Sequence, residues 1–277
     1  MISRLQLINQ IKLKKSFLCV GLDPDIEKIP PFLNSYPDPV LEFNKRIIDA
    51  TRDLCVAYKP NAAFYESRGL KGIQSLIDTC KYLPGECLSI IDAKRGDMDN
   101  TSQMYAKAFF DEASSGMNFD AITVSPYMGY DAVAPYLEYP GKWVVLLALT
   151  SSAGSKDFQY LKTENGFLYE VVIKKANTWA GADKIMYVVG ATKGTEFINI
   201  REYAPDNFLL VPGIGAQGGS LQEVCKYGMN KDCGLIVNAS RSIIYASGGK
   251  DFAEAAREEA MKLQRQMQAE LEKTGVI

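Results

Sequence analysis

The chain has 277 residues, of which 47% are hydrophobic and 23% charged, a composition typical of globular proteins that excludes disordered and fibrous ones. Its 31 basic and 33 acidic side chains give a net charge of −2, so there is no basic excess for a nucleic acid or an anionic membrane surface. The absence of histidine excludes histidine relays and histidine metal ligands. We therefore expect a small-molecule partner and proton transfer by Lys, Asp, Glu, Tyr or Cys.

The first predicted element is a helix over residues 3–13, which would cover the floor of a barrel. Basic residues interrupt its apolar positions. The longest apolar run, 143–149, is far shorter than the ~20 residues that a membrane-spanning helix needs. The six cysteines form no CxxC pair, which favours free thiols in a reducing compartment. We predict a cytoplasmic protein that does not bind membranes.

Eight short apolar runs then follow along the chain, each ending at Asp, Lys, Pro, Gly or Ser. They begin at Phe17, Leu54, Leu88, Ala121, Trp143, Ile185, Phe208 and Leu235. Continuous apolar character is typical of parallel strands that are buried on both faces. Their mean spacing of about 31 residues fits a strand, a crossover helix and two loops.

Apolar residues recur at helical spacing between the runs, over 39–52, 70–82, 167–179 and 252–271. Eight alternating units predict an α/β fold, a closed (β/α)8 TIM barrel that forms a single domain over residues 1–277. An open, doubly wound sheet is the structural alternative, since eight parallel strands can also lie flat.

Charged residues end the first three runs. Asp23 follows the first, Lys59 the second, and Asp92, Lys94 and Asp97 the third. Active sites of barrel enzymes lie at the carboxyl ends of the strands, so we expect these groups to meet at the barrel mouth. A salt-bridge girdle that serves stability alone is the alternative. Because burying each charge costs several kcal/mol, a functional site explains the cluster better.

A second group of polar and glycine residues follows the seventh and eighth runs, in VPGIGAQGG at 211–219 and in SRS before a predicted helical turn over 243–246. Glycines let backbone N–H groups approach an anion, and these loops often hold phosphate in this fold. A glycine-rich turn beside a surface arginine is the alternative. The residues that we expect to contact phosphate are Gly215, Gln217, Gly218, Ser240 and Arg241.

Hydroxyl groups follow the fifth run in LTSSAGS at 149–155, where Thr150, Ser151 and Ser152 offer hydrogen bonds. Ordinary loop chemistry explains this segment equally well.

The order and spacing of these segments resemble the orotidine 5′-phosphate decarboxylase family, in its longer bacterial subgroup. DAKRGD at 92–97 is similar to the family's Asp-x-Lys-x-x-Asp signature. The other matching segments are GLDPD at 21–25, AYKPNAAFYE at 57–66, TVSPYMGYDAVAPYLE at 123–138, LTSSAGS at 149–155, VPGIGAQGG at 211–219 and SRSIIYA at 240–246. The resemblance therefore covers almost the whole chain.

The resemblance implies decarboxylation of orotidine 5′-monophosphate to UMP and CO₂ without a cofactor or metal. It implies that Lys94 protonates C6 of the pyrimidine, that Asp92 faces the substrate carboxylate, and that Lys59 holds both and bonds to the ribose. Asp23 would bind a ribose hydroxyl.

Further roles follow from the same resemblance. Ser151 would bind the pyrimidine amide, and Gln217 with Arg241 would bind phosphate. Asp97 and Thr101 would reach into the site of a second subunit, so that the active sites of a homodimer are shared. Met98 departs from the isoleucine that is usual there, and we expect only a change in packing.

Three other functions remain open on the sequence. A sugar-phosphate decarboxylase or synthase of the same suprafamily would use Mg²⁺, and inhibition by EDTA would favour it. A non-catalytic phosphate-binding barrel would not need the Asp and Lys set. A purely structural or protein-interaction barrel would leave both the anion loop and the charged cluster unexplained.

Overall fold

Eight parallel strands close into a barrel in the computed structural model, which describes residues 1–214 and 218–277. The strands are β1 (Leu18–Leu22), β2 (Ala57–Pro60), β3 (Leu88–Arg95), β4 (Ala121–Val124), β5 (Trp143–Leu149), β6 (Ile185–Val189), β7 (Leu209–Pro212) and β8 (Leu235–Ala239). The circle is complete because β1 pairs with both β2 and β8. The predicted closed barrel is thus confirmed, and the open sheet is excluded.

The strands are largely apolar because the barrel interior buries one face and the surrounding helices bury the other. The α-helices are Arg4–Lys14, Pro39–Thr51, Ala62–Glu66, Gly69–Tyr82, Asp99–Phe110, Glu112–Ser115, Ala134–Leu137, Ser155–Phe158, Leu168–Ala176, Glu196–Tyr203, Leu221–Gly228, Arg241–Ile244 and Phe252–Thr274. Two 3₁₀ helices span Pro31–Ser35 and Tyr130–Ala132. None of the helices in the described part of the chain is long and apolar enough to cross a membrane.

Most predicted helices lie within a few residues of their expected positions. The helix predicted over 167–179 ends at Ala176, and the turn predicted over 243–246 is a short helix that starts at Arg241. A two-stranded hairpin, Lys162–Thr163 with Gly166–Phe167, has no counterpart in the sequence prediction. Strands of two residues are too short to show a hydrophobic period.

The N-terminal helix lies across the floor of the barrel, as predicted. Ser3 and Gln6 form a capping box that starts it, and Leu7 and Ile11 are buried. Lys14 Nζ donates hydrogen bonds to the carbonyls of Arg52 and Cys55, just before β2 begins. The helix therefore covers the amino ends of the strands and leaves their carboxyl ends open.

The carboxyl end of β3 departs from regular geometry. Its register with β4 shifts between Ile91 and Arg95, and Lys94 adopts a left-handed φ of 46°. This conformation is unfavourable for a residue with a Cβ, and the surrounding contacts must hold it in place. The irregularity lies within the segment that carries Asp92 and Lys94.

Candidate active site

Two adjoining cavities open at the barrel mouth and share Lys59, Asp92 and Pro212. The larger, of about 470 Å³, is lined by polar groups and by apolar side chains. Its polar residues are Lys59, Asp92, Lys94, Thr123, Thr150, Ser151, Ser152 and Thr192. The smaller, of about 180 Å³, extends toward Ser240 and Arg241. Together they form one cleft, which can hold an elongated ligand.

An alternating network of charges lies at the centre of this cleft. Lys59 Nζ is 3.0 Å from Asp92 Oδ2 and 4.0 Å from Asp23 Oδ1. Lys94 Nζ is 2.6 Å from Asp92 Oδ1. The groups meet because β2 pairs with both β1 and β3, which places the ends of the three strands side by side. Four of the five predicted charged residues are thus brought together.

Burial and mutual attraction act in opposite directions on these groups. Burial raises the pKa of Asp92, but the Lys59 and Lys94 ammonium groups outweigh it and hold that pKa below its ordinary value. Burial lowers the pKa of Lys59, but Asp23 and Asp92 outweigh it and raise that pKa. Asp92 and Lys59 consequently remain ionised at neutral pH.

Thr123 was not predicted as a site residue, but its hydroxyl group forms hydrogen bonds with both Asp92 and Lys94. Its Oγ1 donates to Asp92 Oδ1 at 2.9 Å and accepts from the backbone N–H of Lys94 at 2.9 Å. It therefore orients the carboxylate and supports the left-handed backbone at Lys94. The available signal was a hydroxyl residue inside the apolar run of β4, where the side chain is buried.

Four buried polar atoms along the cleft have no hydrogen-bond partner. They belong to Asp23 (Oδ1), Ser151 (Oγ), Asn238 (Oδ1) and Ser240 (Oγ). A buried polar atom without a partner is destabilising, so such atoms grouped in one cleft favour a polar ligand that completes them. Asn238 was not predicted, although it is the polar residue within the apolar run of β8.

The smaller cavity contains part of the predicted phosphate site. Gly213, Asn238, Ser240 and Arg241 line it. Gly218 is exposed and has a φ of 80°, a conformation that favours glycine. Two further predicted residues of this loop, Gly215 and Gln217, lie outside the described residues.

Asp97 and Thr101 are absent from the described lining of their own chain's cleft. Asp97 Oδ1 accepts a hydrogen bond from the adjacent backbone N–H of Met98, and Thr101 is exposed on the helix Asp99–Phe110. The structure therefore separates these two residues from the four that it brings together.

One thiol, that of Cys19, lies beside the charge network. Cys19 is the thiol beside Lys59, and burial raises its pKa to about 12, so it stays protonated. Across residues 1–214 and 218–277, His, Cys, Asp and Glu form no group of three that could hold a metal ion.

The mouth of this parallel barrel joins a lysine and aspartate network to a pocket lined by glycine and arginine. These features are typical of barrel enzymes that act on small phosphorylated ligands. Comparison with known proteins narrows this class. A family model described as "Orotidine 5'-phosphate decarboxylase / HUMPS family" matches residues 16–258. The chain belongs to this family.

Individual relatives agree with the family model. An orotidine 5′-phosphate decarboxylase of Flavobacterium johnsoniae is 58% identical over 95% of this chain and 96% of its own. The Leishmania donovani OMP decarboxylase structure is 35% identical, with a TM-score of 0.79, and the match covers 95% of this chain and all of that one. The Leishmania donovani UMP synthase is 37% identical with a TM-score of 0.81, and the match covers 95% of this chain but 57% of that longer one.

Proposed function

We propose that this protein decarboxylates orotidine 5′-monophosphate to UMP and CO₂. The observation that carries the proposal is the Asp92 carboxylate held between two lysines, at the junction of the larger cavity and the Arg241 pocket. The relatives' names, at more than half identity over nearly the whole chain, support the same substrate.

The fixed charges suit a reaction that leaves an electron pair on carbon. Loss of CO₂ breaks the bond from C6 to the carboxylate, and the electron pair stays on C6. An ammonium group placed beforehand stabilises that negative charge without reorganisation. Asp92 keeps Lys94 Nζ in place. Its negative charge also repels the substrate carboxylate, which destabilises the bound substrate relative to the transition state.

Lys94 then completes the reaction as the proton donor. A proton passes from Nζ to C6, which gives UMP, and the resulting amine takes up a proton from solvent. Its side chain is 49% exposed, so solvent can reach it. This sequence needs no cofactor.

Binding residues lie on both sides of the reacting carbon. Ser151 would bind the pyrimidine amide, Asp23 and Lys59 the ribose, and Arg241 with Ser240 the phosphate. The unpaired Oγ of Ser240 and the Arg241 guanidinium support the last assignment, because both line the smaller cavity. Gln217, Gly215 and Gly218 complete the phosphate loop in this proposal.

We also propose a homodimer in which Asp97 and Thr101 enter the partner's cleft. Met98, which follows Asp97 in the chain, and Tyr127, in the loop after β4, are large apolar side chains with 67% and 81% exposure. Such patches often mark protein interfaces. Thr101 lies on the helix Asp99–Phe110, which packs on the loop after β4. Ser102 Oγ of this helix donates a hydrogen bond to the Ala132 carbonyl in that loop.

We further propose that residues 1–277 form one domain that works in the cytoplasm. The six free cysteines, five of them buried, fit a reducing compartment.

Turnover of orotidine 5′-monophosphate in the presence of EDTA tests the activity. We expect ultraviolet absorbance to fall while UMP accumulates, and Arg241→Ala to weaken substrate binding mainly. No turnover by the purified protein would contradict the proposal. Activity on sugar phosphates that EDTA abolishes and Mg²⁺ restores would support the rival function instead.

Subunit exchange tests the shared site. Lys94→Ala and Asp97→Ala chains, each inactive alone, should regain about a quarter of the wild-type activity when mixed, because half of the dimers are mixed and each contains one intact site. Exchange verified by two affinity tags, with no recovered activity, would show that Asp97 acts within its own chain or not at all.

A further inference from the structure

Ser151 lies in a loop whose position the strand ladder alone does not fix. The register of β5 with β6 shifts between Leu147 and Leu149, and the ladder ends there. Ser151 lines the larger cavity, and its buried Oγ has no partner. Something other than the sheet must hold this hydroxyl in its place.

Gln159 anchors the loop from the side away from the cleft. Its Oε1 accepts from the backbone N–H of Thr150 at 2.7 Å, and hydrogen bonds at 3.1 and 3.2 Å join its amide to Thr150 Oγ1. Thr150 Oγ1 is in turn 2.9 Å from Ser152 Oγ. One side chain thus fixes the residues on both sides of Ser151.

Gly190 is in close contact with the same loop. A Cβ at position 190 would lie 2.2 Å from Ser151 Oγ and 2.5 Å from its backbone nitrogen. The glycine therefore allows the backbone of Ser151 to pack directly on the end of β6. This contact and the Gln159 hydrogen bonds both hold the backbone around Ser151.

Gln159 does not belong to the described lining of the cleft. It lines another, largely apolar cavity of about 740 Å³ between the loop after β4 and the helix Leu168–Ala176, which has Leu147 in common with the described lining of the cleft. Any effect of Gln159 on a ligand in the cleft must therefore pass through the loop that it holds.

We propose that Gln159 is a positioning residue, which presents Ser151 to the nucleobase by fixing the Thr150 peptide. This inference rests on the proposed function and adds a determinant of base binding to it. Preorganisation of this kind raises affinity because the loop does not have to be ordered when the ligand binds. The effect should be confined to ligands that carry a base.

The test compares UMP with ribose 5-phosphate, which lacks the base, by titration calorimetry. Gln159→Leu should weaken UMP binding by about tenfold, comparable to the loss of one buried hydrogen bond, and should leave ribose 5-phosphate binding unchanged. Gln159→Glu retains the acceptor for the Thr150 N–H and should bind UMP within about threefold of wild type. Gln268→Leu is the matched control, because Gln268 bonds to Glu272 on the C-terminal helix.

Equal weakening of both ligands, or no weakening of either, would overturn the inference. Gln159→Asn, which is one methylene shorter, provides the same comparison if the leucine variant does not fold. Turnover of orotidine 5′-monophosphate by the wild-type protein is measured separately. A protein that turns over substrate but whose Gln159 variants bind both ligands normally contradicts only the role of Gln159.

Discussion

The two ends of the barrel use polar residues in different ways. At the floor, where the strands begin, buried polar and charged side chains bond to backbone groups and to one another. At the mouth, where the strands end, Asp23, Ser151, Asn238 and Ser240 each keep a buried polar atom without a partner. The polar groups that connect the floor are paired within the chain, with Gln10 Oε1 on the N-terminal helix as an exception, whereas the four unpaired atoms at the mouth lie together in one cleft that a ligand can complete.

Asp120 and Arg201 illustrate the floor. Asp120 accepts hydrogen bonds from the backbone of Ile2 and from both the backbone and hydroxyl of Ser89. Arg201 donates hydrogen bonds to four backbone carbonyls in the segments that lead into β7 and β8, those of Ala204, Asn207, Gly228 and Gly234. These residues hold connections together, and their loss should affect stability rather than chemistry.

The largest effect on stability is expected for Arg201→Met. It removes the donor from four carbonyls, and we expect the free energy of unfolding to fall by about 3 kcal/mol or more. The remaining folded protein should keep its KM, because Arg201 is remote from the cleft. Urea denaturation and steady-state kinetics measure both. A changed KM with unchanged stability would break the contrast between the two ends.

Thr123→Val, at the mouth, should reduce the rate of catalysis. The shape is preserved, but Asp92 loses a donor and the Lys94 N–H loses its acceptor. We expect kcat to fall by about 10- to 100-fold, equivalent to one or two lost hydrogen bonds, with little change in KM. An increase in KM at unchanged kcat would contradict the positioning role of Thr123.

Two serines whose hydroxyl oxygens are buried give a matched comparison of the ends. Ser89 Oγ bonds to Asp120 at the floor, whereas Ser240 Oγ at the mouth has no partner. Ser89→Ala should lower the free energy of unfolding by about 1–3 kcal/mol, and Ser240→Ala should change it by less than about 0.5 kcal/mol. Thermal and urea unfolding of both variants decide this. Equal losses would mean that Ser240 is structural.

Acid pH should reveal the depressed pKa of Asp92. A carboxyl whose pKa is lower in the folded state contributes stability above its ordinary value of 3.8 and loses it as the pH falls through the folded value. Below about pH 4, the stability of wild type should fall by about 1.4 kcal/mol per pH unit more steeply than that of Asp92→Asn. Parallel pH profiles would show that this carboxylate is not stabilised by the two lysines.

The sequence predicted the barrel well because parallel strands buried on both faces are continuously apolar. It also predicted that Asp23, Lys59, Asp92 and Lys94 meet, since each ends a strand at the same end of the barrel. These conclusions depend on local patterns and on one general rule of the fold.

Other features depend on contacts between distant segments. The left-handed φ of Lys94 results from a register shift and from Thr123, which is 29 residues further along the chain. The Gln159 contact depends on the path of the loop after β5. Neither leaves a periodic signal. Spacing alone groups Asp97 with the cluster, although Asp97 lies outside the described lining of the cleft.

We propose that the mouth of the barrel separates chemistry, at Lys94, from binding, at the phosphate and base contacts. The most direct measurement is single-turnover decarboxylation by Lys94→Ala at a substrate concentration that saturates the variant, with UMP affinity determined on the same sample. We expect a rate at least about 10²- to 10⁴-fold below wild type with UMP still bound, as follows when a proton donor is removed. A wild-type rate in this variant would show that Lys94 is not the proton donor.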